Sequence, residues 1–238
     1  LFPARGQATH VANDRAVKLY ALRSLRDAPE LLVMGSSSSA VLPPQKLAAA
    51  LGYRSGYNLA LVDGTPAEAL AILQRLHAQG RAPKAITYGL DPVPFGNPGG
   101  LPDDRKKRLP GQGILDHLLV SATHLTAPLP TALMDVRAIY AEPLVLLVRA
   151  DGRLSYPRWE AQISSDPQRY RARVERQALA GLRTAFQAAP FEDLARLDRW
   201  LREHRIAATF FYPPLHPRFV AATSPDLHAE FRARTAAA

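Results

Sequence analysis

Three times within the first ninety residues a short apolar run stops at Gly or Asp and gives way to a helix-forming segment. This repeat constrains the fold more than any other feature of the chain. The runs are Leu31–Gly35, Tyr57–Val62 and Ala85–Leu90. They are too short for helices and too uniformly apolar for strands with one wet face, so they read as strands buried on both sides. Strand, turn and helix in succession assemble as a mainly parallel sheet with right-handed crossovers, which places the chain in the α/β class.

Local signals place the helices. Ala12–Leu25 carries Val17, Leu19, Tyr20, Leu22 and Leu25 among basic residues, the pattern of an amphipathic helix leading into the first strand. Pro43-Pro44 opens a short helix that Gly52 closes. Thr65, Pro66 and Glu68 form the N-cap, first helical residue and third position of a capping box, so a helix with Leu70, Leu73 and Leu76 on one face starts there and ends near Gly80. Asp166-Pro167 is expected to start one long helix carrying Tyr170, Val174, Ala178, Leu182 and Phe186 at four-residue spacing. A second helix buries Leu194, Leu197, Trp200 and Leu201, with Glu192 and Asp193 at its start and Arg202 and Arg205 at its end. The last strand, Ala207–Tyr212, leads into Pro213-Pro214-Leu215-His216-Pro217.

At 238 residues and 47% hydrophobic, the chain buries one core, so residues 1–238 are expected to form a single domain. A loop-rich insertion at about 93–165 interrupts it: Val93–Gly113 is crowded with Pro, Gly and charge, and Ile114–Tyr140 is helical or mixed. Leu144–Val148 is β-like, and Asp151-Gly152 is expected to turn a hairpin. A net charge of +9 favours anionic partners. The only basic run, Arg105–Arg108, lacks interleaved aromatics, which argues against nucleic acid. Without cysteine there is neither disulfide nor thiolate chemistry, and no apolar run reaches membrane-spanning length. The first residue is Leu rather than Met, from which an upstream signal or anchor is expected to have been removed. Neither a metal nor a cofactor is expected.

In a parallel sheet the strand ends share one rim, where open α/β folds place their chemistry. That rim is expected to gather Ser37, Asn58, Asp63, Gly64, Asp91 and His216. A hydroxyl nucleophile, an imidazole to take its proton and donors for an oxyanion suit acyl transfer. Phosphate binding by the hydroxyl-rich turn is a lesser alternative.

These blocks resemble those of the SGNH, or GDSL-like, hydrolase superfamily, and within it the bacterial cell-surface group of DltD-like and polysaccharide O-acetylation proteins. Gly35-Ser36-Ser37-Ser38 matches the Gly-Asp-Ser-x block, Tyr57–Thr65 the segment leading to an oxyanion-hole glycine, Tyr88–Pro92 the Gly-x-Asn-Asp block, and Pro213–His216 the Asp-x-x-His block. The resemblance implies a three-layer α/β/α, flavodoxin-like fold. It implies Ser37 as nucleophile and His216 as base and then acid, with Gly35, Asn58, Asp63 and Gly64 around the oxyanion and substrate. Two departures bear on the chemistry: Asp91 replaces the oxyanion-hole Asn, and Pro213 replaces the acid before the histidine. An ionised Asp91 opposes an oxyanion, so either it is protonated, or it orients His216, which is the expected role, or the site is no longer a hydrolase; the plainer alternative is that Asp91 caps the turn before Pro92, and a Ser-His dyad held by a backbone carbonyl is the alternative for His216.

The implied activity is that of a serine esterase or acyltransferase acting on O-acyl groups of a cell-envelope polysaccharide or related polymer, on the periplasmic or extracellular face of the membrane. Its implied partners are an acylated or acceptor glycan, anionic in some cases, and a membrane-bound acyltransferase. The alternative is a non-catalytic SGNH-like module for glycan binding or assembly.

Overall fold

The structure is a computed structural model that describes residues 9–10, 14–96, 147–178 and 185–238. The basic run Arg105–Arg108, the stretch 114–140 and Leu182 lie outside the described residues.

In chain order the elements are β1 (Thr9–His10), α1 (Asp14–Ser24), β2 (Leu31–Gly35), α2 (Pro44–Ala50), β3 (Gly56–Asn58), α3 (Pro66–Ala78), β4 (Ala85–Gly89) and α4 (Val93–Gly96). After the undescribed segment come β5 (Leu147–Val148), β6 (Leu154–Ser155), α5 (Pro157–Ser165), α6 (Pro167–Ala178), α7 (Ala189–Glu203), β7 (Ala207–Phe211), α8 (Pro217–Ala222) and α9 (Pro225–Ala237).

The main sheet is parallel throughout, in the order β3-β2-β4-β7, within a three-layer α/β/α fold. β2 and β4 are buried along their whole length, as their unbroken apolar runs require. Their side chains alternate between layers. Leu32, Met34, Ile86 and Tyr88 join Leu19 and Leu22 of α1, Ile72, Leu73 and Leu76 of α3, and Leu194, Leu197 and Leu201 of α7 in the main core. Leu31 and Ala85 meet Ala48 of α2 in a smaller cluster. β7 is one of the two edge strands, and its first three residues are exposed.

The capping box at the start of α3 is complete, with Glu68 N donating to Thr65 Oγ1 at 3.3 Å and Thr65 N donating to Glu68 Oε2 at 3.2 Å. β5 and β6 are antiparallel across the Asp151-Gly152 turn, and Asp151 O accepts from Asn58 N at 2.9 Å. This seats the hairpin against the edge of β3, while β1 pairs with β5 to complete a small second sheet.

Two expectations need correction. The second strand is shorter than Tyr57–Val62: regular pairing ends at Asn58, although Leu59 N and Leu61 N still bond Val33 O and Gly35 O. The reason is Asn58 Oδ1, which accepts the Ala60 amide and turns the backbone locally. The expected long helix from Asp166 is described as α6, which ends at Ala178, and Phe186 lies outside it in the non-helical stretch before α7; a separate helix, α5, precedes it, so that Asp166 stands between two helices and caps the second through Arg169 N.

Candidate functional site

Between Gly35 and Gly89 the ends of β2 and β4 approach so closely that a Cβ on Gly89 would sit 1.9 Å from Ser39 Oγ. Glycine is the one residue that leaves room there for the turn that follows β2. That turn is compact: Ser39 N and Ala40 N both donate to Ser36 O, at 3.1 and 3.2 Å.

The four consecutive hydroxyls have different fates. Ser36 is buried, and its Oγ donates to Asp91 Oδ2 at 2.6 Å. Ser38 Oγ donates to the same oxygen at 2.9 Å and lies 3.0 Å from Ser36 Oγ. Ser39 is fully buried, with its Oγ unpartnered among the described residues, beneath Gly89. Ser37 is half-buried, and its Oγ makes no hydrogen bond among the described residues. The backbone amides of Ser37 and Ser38 are likewise without acceptors among the described residues. A free hydroxyl beside free amides at a strand end is a chemically competent pairing of nucleophile and oxyanion donors.

Asp91 follows β4 and is buried. Its Oδ2 takes both serine hydroxyls, and its Oδ1 accepts the Val93 amide at 3.0 Å, capping the short helix α4. The carboxylate thus ties the end of β2 to the end of β4 and makes no bond to an imidazole. The expected partnership of Asp91 with His216 is absent from this arrangement.

His216 stands at the other end of the rim, exposed, as the N-cap of α8. Its Nδ1 accepts the Arg218 amide at 3.2 Å, which in the neutral ring leaves the proton on Nε2. No hydrogen bond joins His216 to Ser37 among the described residues. A base for Ser37 needs an unprotonated ring nitrogen facing the hydroxyl, so His216 must leave its capping contact to serve.

The remaining expected site residues are structural in this arrangement. Asn58 is fully buried, and its Nδ2 donates to Ser39 O and Leu42 O, each at 2.9 Å. It holds the serine turn from beneath and presents no donor to a ligand. Gly64 N donates to Leu61 O at 3.0 Å, which commits the amide expected to meet an oxyanion. Gly64 also lies so close to Gly35 that a Cβ there would be 2.5 Å from Gly35 O. Asp63, beside it, holds a left-handed backbone at φ 51°, a conformation Asp tolerates better than most residues.

Beneath this loop lies an ionic layer that periodicity concealed, because Arg15 and Lys18 read as the wet face of α1. Arg15 binds Glu68 bidentately, with Nε to Oε1 at 2.6 Å and a terminal nitrogen to Oε2 at 3.1 Å, and also donates to Val62 O. Asp14 Oδ2 accepts Val62 N at 2.7 Å. Lys18 is fully buried with Nζ on Ala60 O, and burial brings its pKa down to about 7. The start of α1 thereby pins the β3–α3 loop.

A cleft of about 860 Å³ opens beside Asp91, between the ends of β4 and β7 and the helices α8 and α9. Leu90 and Pro92, on either side of Asp91, form part of its wall. Of the sequence-derived site residues none lines it. His228, which does, stands in a helix without amphipathic signal and was not legible as a site residue.

Compared with protein-family models, with curated proteins and with solved structures, the chain finds no match.

Proposed function

We propose that the chain is a serine acyl-transfer protein of the SGNH type, an esterase or O-acyltransferase acting on O-acyl groups of a cell-envelope polysaccharide or related polymer. The observation that carries this reading is the isolation of one hydroxyl. Ser36 and Ser38 are committed to Asp91 and Ser39 is buried, which leaves Ser37 alone free to attack, with unclaimed amides beside it.

In the proposed reaction Ser37 Oγ attacks the ester carbonyl while its proton passes to His216, released from the α8 cap. The amides of Ser37 and Ser38 hold the oxyanion. Collapse expels the alcohol, which takes the proton from His216 and leaves Ser37 acylated. Water or a glycan hydroxyl then receives the acyl group and restores Ser37. The excess of 30 Lys and Arg over 21 Asp and Glu supports an anionic polymer as acceptor or donor, and the reading carries with it a periplasmic or extracellular setting and a membrane-bound acyl donor system.

One observation favours the second reading, a non-catalytic module for glycan binding or assembly: among the described residues His216 is hydrogen-bonded to neither Ser37 nor Asp91. A fluorophosphonate probe separates the two. Stoichiometric labelling that disappears in Ser37→Ala supports acyl transfer, and absence of labelling at high probe concentration supports the module. A screen of small esters, with and without oligosaccharide acceptors, then distinguishes hydrolysis from transfer.

A further inference from the structure

The cleft beside Asp91 has apolar walls and two basic side chains at one side. Leu90, Pro92, Tyr212, Leu215, Val220 and Phe231 form the apolar lining. Tyr212 and Val220 remain 46% and 42% exposed, so large apolar groups stand in water at the opening, where covering them releases hydrophobic free energy. The basic side is built by α9. His228 and Arg232 are one helical turn apart and both line the cleft.

His228 Nε2 is shielded from water and has no hydrogen-bond partner among the described residues. Shielded in this way, that nitrogen is out of a ligand's reach, and the charge on this side of the cleft is that of Arg232. Arg232 lies with its guanidinium 5.9 Å from the centre of the Tyr212 ring and has no carboxylate partner among the described residues. It stands as a cation at the edge of an apolar surface.

From this combination we infer that the cleft binds an aliphatic carboxylate. The chain lies along Leu90, Pro92, Leu215, Val220 and Phe231, and the carboxylate meets the exposed guanidinium of Arg232. The volume falls within the roughly 300–1,000 Å³ typical of small-molecule sites. A cationic amphiphile of equal length would meet Arg232 head on, and a neutral alcohol would forgo the charge-assisted bonds. Binding requires no turnover, so the site stands or falls independently of acyl transfer at Ser37.

Isothermal titration of the full chain with decanoate, decanol and decyltrimethylammonium, each below its micelle concentration, tests the inference. Saturable one-to-one binding of decanoate is expected, with the alcohol and the ammonium at least about tenfold weaker. Arg232→Glu, at an exposed position, is expected to weaken decanoate by about tenfold or more and to leave decanol unchanged. No saturable binding of decanoate, equal affinity for the three amphiphiles, or an Arg232→Glu variant that binds decanoate as the parent does would each overturn it. The amphiphile series on the unmodified chain decides even where the variant fails to fold.

Discussion

The Oγ of Ser36 lies 2.6 Å from Oδ2 of Asp91, and both groups are buried, so the first hydroxyl of the turn belongs to the architecture rather than to a ligand. Substituting neighbours in the turn should therefore separate stability from reactivity. Ser36→Ala removes a buried hydrogen bond to a charged acceptor, and about 1.5–3 kcal/mol of stability should go with it while probe labelling persists. Ser37→Ala should leave the unfolding midpoint unchanged and eliminate labelling. Urea unfolding and fluorophosphonate labelling of the two variants check this. Labelling lost in Ser36→Ala alone would identify Ser36 as the nucleophile.

Asp91→Asn tests whether the carboxylate acts on chemistry or on the fold. Its oxygens accept from two hydroxyls and one amide. The hydroxyls can turn to accept from an Asn amide, but all three bonds lose their charge assistance. A lower melting midpoint is expected, with ester cleavage reduced by less than about tenfold. A fall of several orders of magnitude would mean that Asp91 orients an imidazole in the working state.

Glu30, just before β2, contributes to stability at acid pH. The Arg54 backbone N–H, followed by the Lys84 and Arg54 side chains, holds its pKa down from 4.5 to about 2. A depressed carboxyl contributes stability above the unfolded value and loses it as pH falls through the folded one. The difference in melting midpoint between the parent and Glu30→Gln should be full above pH 4.5 and should close as pH falls to about 2. A difference independent of pH across that window would contradict the assignment.

Lys18 produces a slope of the same sign at alkaline pH. Burial lowers its pKa from 10.5 to about 7, so between those values the unfolded chain binds a proton that the folded chain has released. Stability gained through this group therefore rises with pH from about 7 towards 10.5. Lys18→Met, which keeps the apolar stem, should abolish that rise. Unfolding of parent and variant across this range checks it, and parallel curves would show that Lys18 titrates normally.

The sequence determined those features whose causes are local. Unbroken apolar runs announced β2 and β4 as strands buried on both faces, and Thr65, Pro66 and Glu68 announced the start of α3, because a capping box is settled within four residues. The order of strands and turns was enough to bring Ser37 and Asp91 to one rim. Hydrogen-bond partners across the fold were not legible. Nothing local to the serine turn distinguishes four adjacent hydroxyls; that Ser36 and Ser38 donate to Asp91 while Ser37 stays free depends on a register between β2 and β4 that pairs Gly35 with Gly89. Asn58 read as a rim donor and is spent on Ser39 O and Leu42 O, and Lys18 read as a wet residue and is buried on Ala60 O. The chain thus encoded its strands, caps and turn chemistry by itself. Which polar groups face a ligand and which are consumed in holding the rim was decided by tertiary structure, because a buried donor or acceptor must find its partner wherever the packing places one.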